Sequence, residues 1–302
     1  MGDIRILDGG MSRELQRLGA ELKQPEWSAL ALINAPDIVR QVHAEFIEAG
    51  ADVVTTNSYA LVPFHIGEDR FRKDGASLIA LSGRLAREAA DGSGRKVTVA
   101  GSLPPIFGSY EPQNFDASRV QDYLGVLVEN LDPFVDVWLG ETLSLIAEGE
   151  AVRQAVAKTG KPFWISFTLD DDTAQVNGAE PKLRSGETVR AAAEWAAGSG
   201  AAALLFNCSK PEVMKAAVET AATTFKEKDA SLKIGVYANA FEGEQGETAA
   251  NEGLHSTRAD LTDDIYSRFA CTWADAGATM IGGCCGIGAA HIHKVAGALR
   301  AL

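Results

Sequence analysis

Cysteine is scarce in this chain, with four in 302 residues, and all four fall in the last third. That is too few, and too unevenly spread, for a disulfide framework; clustered thiols in a reducing compartment point instead to metal or catalysis. Long hydrophobic runs are missing as well. No apolar stretch approaches the ~18 residues of a membrane span, and the opening "MGDIRILDGG" reaches an aspartate and a glycine pair too early for a secretory signal. The expected location is therefore cytoplasmic, with no membrane partner. Basic excess is absent too: 28 Lys and Arg against 41 Asp and Glu give a net charge of −13. This argues against a nucleic-acid partner and suits small cationic ligands. Hydrophobic residues make up 46% and charged residues 23%, as in ordinary globular chains.

What is present is one pattern used eight times. Short apolar runs rich in β-branched residues occupy 4–10, 52–57, 96–103, 136–142, 162–169, 201–209, 233–239 and 278–285. Near-continuous apolarity suits strands covered on both faces, as parallel strands are. Between the runs lie amphipathic stretches such as "APDIVRQVHAEFIEAG" and "LTDDIYSRFACTWADAGA", opened by Asp or Thr and closed by Gly. Eight strand-then-helix units with right-handed crossovers predict a single-domain (β/α)8 TIM barrel over 1–302, with a doubly wound open sheet as the rival. The eighth run is followed by only one further helical stretch, which favours the barrel.

Barrels carry their chemistry at the carboxyl ends of the strands. Asp8, Gly9, Thr56, Asn57, Ser102, Glu141, Thr142, Ser166, Thr168, Asn207, Cys208, Ser209, Tyr237, Asn239, Cys284 and Cys285 all fall there. Closing the barrel brings Cys208 beside Cys284 and Cys285, across 76 residues of sequence. Three protein ligands with a vacant fourth position is the pattern of catalytic zinc; copper(I) or an iron-sulfur cluster also suits thiolates. The glycines at 282, 283 and 286 allow the sharp bending that turns neighbouring thiols to one ion. Cys271 sits inside an amphipathic stretch and reads as packing. "HIH" at 291–293 reads as two ordinary helix histidines, because positions two apart on a helix face nearly opposite ways. His43, His65 and His255 stay unassigned. "GIGAAH" from Gly286 lacks the third glycine of a dinucleotide fingerprint, although a phosphate near the last strands is compatible with a barrel.

The chain resembles the homocysteine S-methyltransferase family in "LDGGMSRELQRLGAEL", "AGADVVTTNSY", "ETLSLIAEGEAVRQAV", "FNCS" and "GGCCGIGAAHI", which occur in the family's order. The resemblance implies a cytoplasmic zinc enzyme that methylates homocysteine to methionine. It also implies that Cys208, Cys284 and Cys285 hold zinc, that Asp8 and Gly9 help hold the amino-acid part of homocysteine, and that Glu141 takes its amino group. Asn239 in "VYANA" matches a residue near the metal, in a segment that departs from the family's "YPN".

A methylated onium compound is the implied donor, S-methylmethionine or S-adenosylmethionine before betaine. The loop at 102–116 departs from the family's glycine-rich turn and bears on donor identity. Tyr59, Phe107, Tyr110 and Tyr237 are candidates for a cage around the donor's cationic head, and 242–260 is a candidate lid. Two other readings stand beside this one: a zinc hydrolase with a metal-bound water, or a phosphate-binding barrel enzyme; and a non-catalytic zinc or thiol-binding barrel. Oligomeric state is not legible.

Overall fold

Each of the eight apolar runs forms a strand in the computed structural model, which describes residues 4–172, 180–241 and 258–301. They are β1 (Arg5–Ile6), β2 (Val53–Thr55), β3 (Thr98–Leu103), β4 (Val137–Leu143), β5 (Phe163–Phe167), β6 (Ala203–Asn207), β7 (Lys233–Ala238) and β8 (Met280–Gly283). All pair in parallel in the order β1-β8-β7-β6-β5-β4-β3-β2. The order has no reversal of the kind a doubly wound sheet requires. The protein is a (β/α)8 barrel.

The ring closes between β1 and β2 through one backbone hydrogen bond and two carboxylate side chains. Asp52 donates its backbone N–H to Ile6 O at 2.7 Å, and its Oδ2 accepts from the Ile6 N–H at 3.0 Å. One turn of pleat higher, Asp8 Oδ2 accepts from the Thr55 N–H at 2.7 Å and Asp8 Oδ1 from the Thr55 hydroxyl at 3.2 Å. Two carboxylates thus take the place of ladder carbonyls along this seam. Burial holds the Asp8 carboxyl up at about 7, against the lowering effect of Thr55.

Side chains on a strand alternate faces with a period of two, and the packing follows it. Leu7, Val53, Ala100, Val137, Leu139, Trp164, Ala203, Leu205 and Met280 form a cluster that contains no helix residue, which places it in the barrel lumen. Their strand neighbours Ile6, Val54, Val99, Trp138, Ile165, Leu204 and Ile281 pack with the helices in the outer core. Counting two residues on from the lumen cluster gives Gly9, Thr55, Ser102, Glu141, Ser166, Asn207 and Gly282. The barrel therefore has an apolar floor and a polar layer above it, nearer the carboxyl ends.

The helices between strands begin and end largely as the sequence predicts. Thr262 caps Asp263–Ala276 by accepting from the Ile265 N–H at 3.3 Å, and Gly277 ends it at φ 117°. Thr188 and Gly200 do the same for Val189–Ser199. Helix Pro36–Glu48 differs: it opens on Pro36 itself, with no side-chain cap, since a proline at the first position surrenders no needed N–H. Among the described residues no helix is long and apolar enough to cross a membrane.

Candidate metal centre

Cys208 leaves β6 at φ 49°, a left-handed conformation rare outside glycine. Cys284 and Cys285 leave β8 in a turn fixed on three sides. Cys284 donates its N–H to Ala238 O at 2.8 Å, Ala240 donates to Cys285 O at 2.8 Å, and Ile287 donates to Cys284 O at 3.0 Å. The Tyr266 hydroxyl ties the ends of β7 and β8 together by donating to Ala238 O at 3.1 Å and Gly282 O at 2.8 Å. Of the three nearby glycines only Gly286, at φ 83°, needs left-handed freedom. Gly282 and Gly283 serve close packing instead: a Cβ there would stand 2.5 Å from Leu7 Cβ and 2.2 Å from Ile287 Cγ2.

The three sulfurs lie within 4.8 Å of one another and form the only metal-capable group of three His, Cys, Asp or Glu among the described residues. Cys208 and Cys284 are joined sulfur to sulfur, and Cys285 Sγ lies 3.9 Å from each. Tetrahedral zinc with Zn–S bonds of ~2.3 Å sets its sulfurs ~3.8 Å apart. The Cys285 spacings meet that requirement, so the donor set fits zinc once the Cys208–Cys284 pair is reduced. Burial, followed by the charge of Glu141, pushes the Cys285 thiol up to about 12. A thiolate there is costly without a cation and natural with one.

Above the sulfurs opens a cavity of about 210 Å³ whose wall includes Asp8, Gly9, Trp27, Tyr59, Glu141 and Tyr237. Glu141 is buried; its Oε1 accepts a short hydrogen bond from the Ser102 hydroxyl and its Oε2 accepts from the Tyr237 hydroxyl at 3.4 Å. Burial raises its carboxyl to about 7, against the pull of these two hydroxyls. Gly9 is needed for space, since a Cβ would stand 2.4 Å from Ile287 O. Asp8 faces the cavity, but its carboxylate is engaged by Thr55, so the residue also holds the β1–β2 seam.

Among the described residues, four of the five non-glycine residues with positive φ, namely Trp27, Tyr110, Thr142 and Cys208, line this cavity. Strain of this kind concentrates at functional sites. Tyr59, Tyr110 and Tyr237 line it, as do Trp27 and Phe241, which sequence reasoning did not single out. Phe107 does not: it packs edge-on against Tyr123, under Arg119. The loop after β3 contributes Ser109, hydrogen-bonded to the Tyr59 hydroxyl, and Tyr110, whose ring is covered by Arg184 at 4.6 Å.

Asn239 is not in the cavity wall; its N–H donates to Ser209 O at 3.1 Å and its Oδ1 accepts from the Phe241 N–H at 3.4 Å. Asn207 approaches the sulfurs, with Nδ2 4.0 Å from Cys284 Sγ. A count of two from Leu205 would have placed it in the lumen. The helix N-terminus within "GIGAAH" meets a carboxylate of the chain itself, since Glu14 Oε1 accepts from the Ala289 N–H at 3.4 Å, where a phosphate would otherwise sit. His291 Nε2 contacts Leu261 O at 3.2 Å and its Nδ1 accepts from the Gly288 N–H at 3.4 Å, so it fastens its own helix. His65 Nδ1 pairs with Pro25 O at 2.9 Å, and His43 is buried with neither ring nitrogen hydrogen-bonded among the described residues. Cys271 packs at the edge of the outer core. His255 and most of the candidate lid at 242–260 lie outside the described residues.

Comparison with known proteins gives one consistent result. The family model described as homocysteine S-methyltransferase matches residues 5–299. "Homocysteine S-methyltransferase 1" of Arabidopsis thaliana is 30% identical over 94% of this chain and 90% of its own length. "Homocysteine S-methyltransferase YbgG" of Bacillus subtilis is 27% identical over 98% of this chain and 95% of its own. Among solved structures, the metallated form of the homocysteine methyltransferase MmuM from Escherichia coli superposes with a TM-score of 0.77 at 28% identity, covering 98% of this chain and 96% of that one. Its oxidized form superposes with the same score.

Proposed function

The chain belongs to the homocysteine S-methyltransferase family and transfers a methyl group to the thiol of homocysteine; on that premise we propose that it does so at a zinc ion held by Cys208, Cys284 and Cys285. The observation that carries this reading is the meeting of three sulfurs from β6 and β8 below a cavity that holds a buried carboxylate. When bound, zinc supplies the positive charge that keeps the substrate sulfur a thiolate at neutral pH. The chain's own residues do the rest. Glu141 takes the ammonium of homocysteine, held in place by Ser102 and Tyr237. Gly9 brings its backbone into the cavity wall to meet the amino-acid part of homocysteine, with Asp8 beside it fixing the wall through Thr55.

The donor is a methylated onium compound, S-methylmethionine or S-adenosylmethionine before a betaine-type compound. Asp8, Glu141 and three cysteinates favour a cation, and aromatic walls stabilise its face. The substrate sulfur's electron pair forms the new S–CH3 bond while the donor's bond to that methyl breaks toward its onium atom, which leaves neutral. No proton need move in that step, so alignment of sulfur and methyl supplies much of the rate.

A zinc hydrolase fits less well, because those sites use histidine and carboxylate ligands and no described histidine reaches the sulfurs. A phosphate-binding barrel is disfavoured by Glu14. A structural, non-catalytic zinc site would carry a fourth protein ligand, and none joins the cluster among the described residues. The decisive experiment purifies the protein under reductant, measures zinc per chain, and assays methionine formation from homocysteine against a panel of onium donors. About one zinc is expected, and Cys208→Ser loses both metal and methyl transfer. Full turnover by chelator-treated, metal-free protein would refute the zinc reading.

A further inference from the structure

A centre of three cysteinates beside a methyl donor raises a selectivity problem: each ligand sulfur is itself a thiolate that the donor could methylate. Burial lowers the exposure of two of them. All three cysteines line the cavity, but Cys208 is 4% exposed and Cys285 8%, whereas Cys284 is only half-buried. Asn207 addresses that sulfur. It is completely buried, and its amide has four hydrogen-bonding valences, two on each end. Oδ1 accepts from the Thr142 backbone N–H at 3.0 Å and from the Ser166 hydroxyl at 2.7 Å. Nδ2 donates one hydrogen to Thr142 Oγ1 at 2.9 Å.

Because the Thr142 N–H can only donate, the oxygen must face it, and the amide cannot be flipped. The remaining N–H is directed to Cys284 Sγ at 4.0 Å, with that sulfur here joined to Cys208 Sγ. Thr142 itself is held at φ 60°, which presents its N–H and its hydroxyl to the same amide.

We propose that Asn207 is a positioning residue that donates its last N–H to the Cys284 thiolate, so that the incoming substrate sulfur, and not this ligand, receives the methyl group. A hydrogen bond to a thiolate draws electron density from its lone pair and lowers its nucleophilicity. The side reaction it suppresses is balanced: the Cys284 lone pair forms an S–CH3 bond, the donor's C–S bond breaks toward sulfur, and a neutral sulfide departs. The product, an S-methyl thioether, is a poor zinc ligand, so each such event inactivates one site. The inference rests on the zinc and onium-donor reading given above.

The test incubates reduced, zinc-loaded protein with S-methylmethionine in the absence of homocysteine and follows Cys284 by intact mass and peptide mapping. Asn207→Asp keeps an acceptor for Thr142 and Ser166 but loses the N–H; Cys284 in that variant should gain a methyl group roughly tenfold faster than in the wild type. Ser166→Ala removes one of the two anchors of the amide and should give a smaller increase of the same sign. Cobalt-substituted Asn207→Asp should also show a shifted thiolate-to-metal charge-transfer band, which a residue serving packing alone would leave in place.

Equal methylation rates in wild type and folded Asn207→Asp overturn the inference, as does modification at Cys208 or Cys285 instead. If Asn207→Asp does not fold, a Ser166→Ala rate equal to that of the wild type overturns it. Wild-type protein that retains no zinc would overturn the underlying reading first, and this inference with it.

Discussion

Replacing Glu141 by Gln separates charge recognition from chemistry. The side chain keeps its size and an oxygen to accept from Ser102, but the negative charge that meets the substrate ammonium is gone. A hydrogen bond to a charged partner is worth about 1.5–3 kcal/mol, so KM for homocysteine should rise about 10- to 150-fold at pH 8. The ammonium is remote from the reacting sulfur, and binding lost equally from ground and transition states leaves kcat nearly unchanged.

The pH dependence makes the test sharper. Burial raises Glu141 to about 7 from 4.5. It is a carboxyl whose charged form is the binding form, so wild-type affinity falls as pH drops below that value. Between pH 8 and pH 6 the ionised fraction falls roughly tenfold. The glutamine variant has no such titration, and any pH dependence of the substrate thiol is common to both proteins. The ratio of variant to wild-type KM should therefore shrink about tenfold from pH 8 to pH 6. Steady-state kinetics with saturating donor measures it. A ratio that stays constant with pH, or a fall in kcat with KM intact, would refute the assignment of Glu141 to the ammonium.

Three further outcomes follow from the packing. Gly10→Ala places a Cβ 2.4 Å from Cys284 O and 3.1 Å from Cys285 Cα; backbone must move, so about 1–3 kcal/mol of stability and much of the bound zinc should be lost, as read by urea titration and metal analysis. Asp8→Ala leaves the Thr55 N–H without its acceptor at the β1–β2 seam and should cost about 1–3 kcal/mol in the same titration, whether or not substrate is present. His43, fully buried and held down to about 4 by desolvation, binds its proton more readily when unfolded. Its contribution is present above pH ~6.5 and is lost as pH falls toward 4, about 2 kcal/mol between pH 7.5 and 5. The raised carboxyls of Asp8, Glu141 and Glu148 act in the opposite direction, so the readout is the difference between wild type and His43→Leu: equal pH slopes would sink this account.

Much of the architecture was legible from local pattern. An apolar run that must be buried on both faces can only be an interior strand, and eight of them separated by helix-length stretches leave few topologies, so the strand positions and the convergence of Cys208 with Cys284 and Cys285 followed from counting. The order of the short motifs also carried the family. What the sequence alone could not decide were partnerships made across the ring. That Asp8 and Asp52 would stand in for ladder carbonyls depends on how β1 meets β2 at closure. That the Asn207 amide would turn an N–H to Cys284 depends on Thr142, across the ring on β4, adopting a left-handed turn. That Glu14 would take the last helix's N-terminus depends on the first and last segments, 275 residues apart, lying side by side. Periodicity is a property of neighbours in the chain; hydrogen-bond partners between strands are fixed only when the barrel shuts.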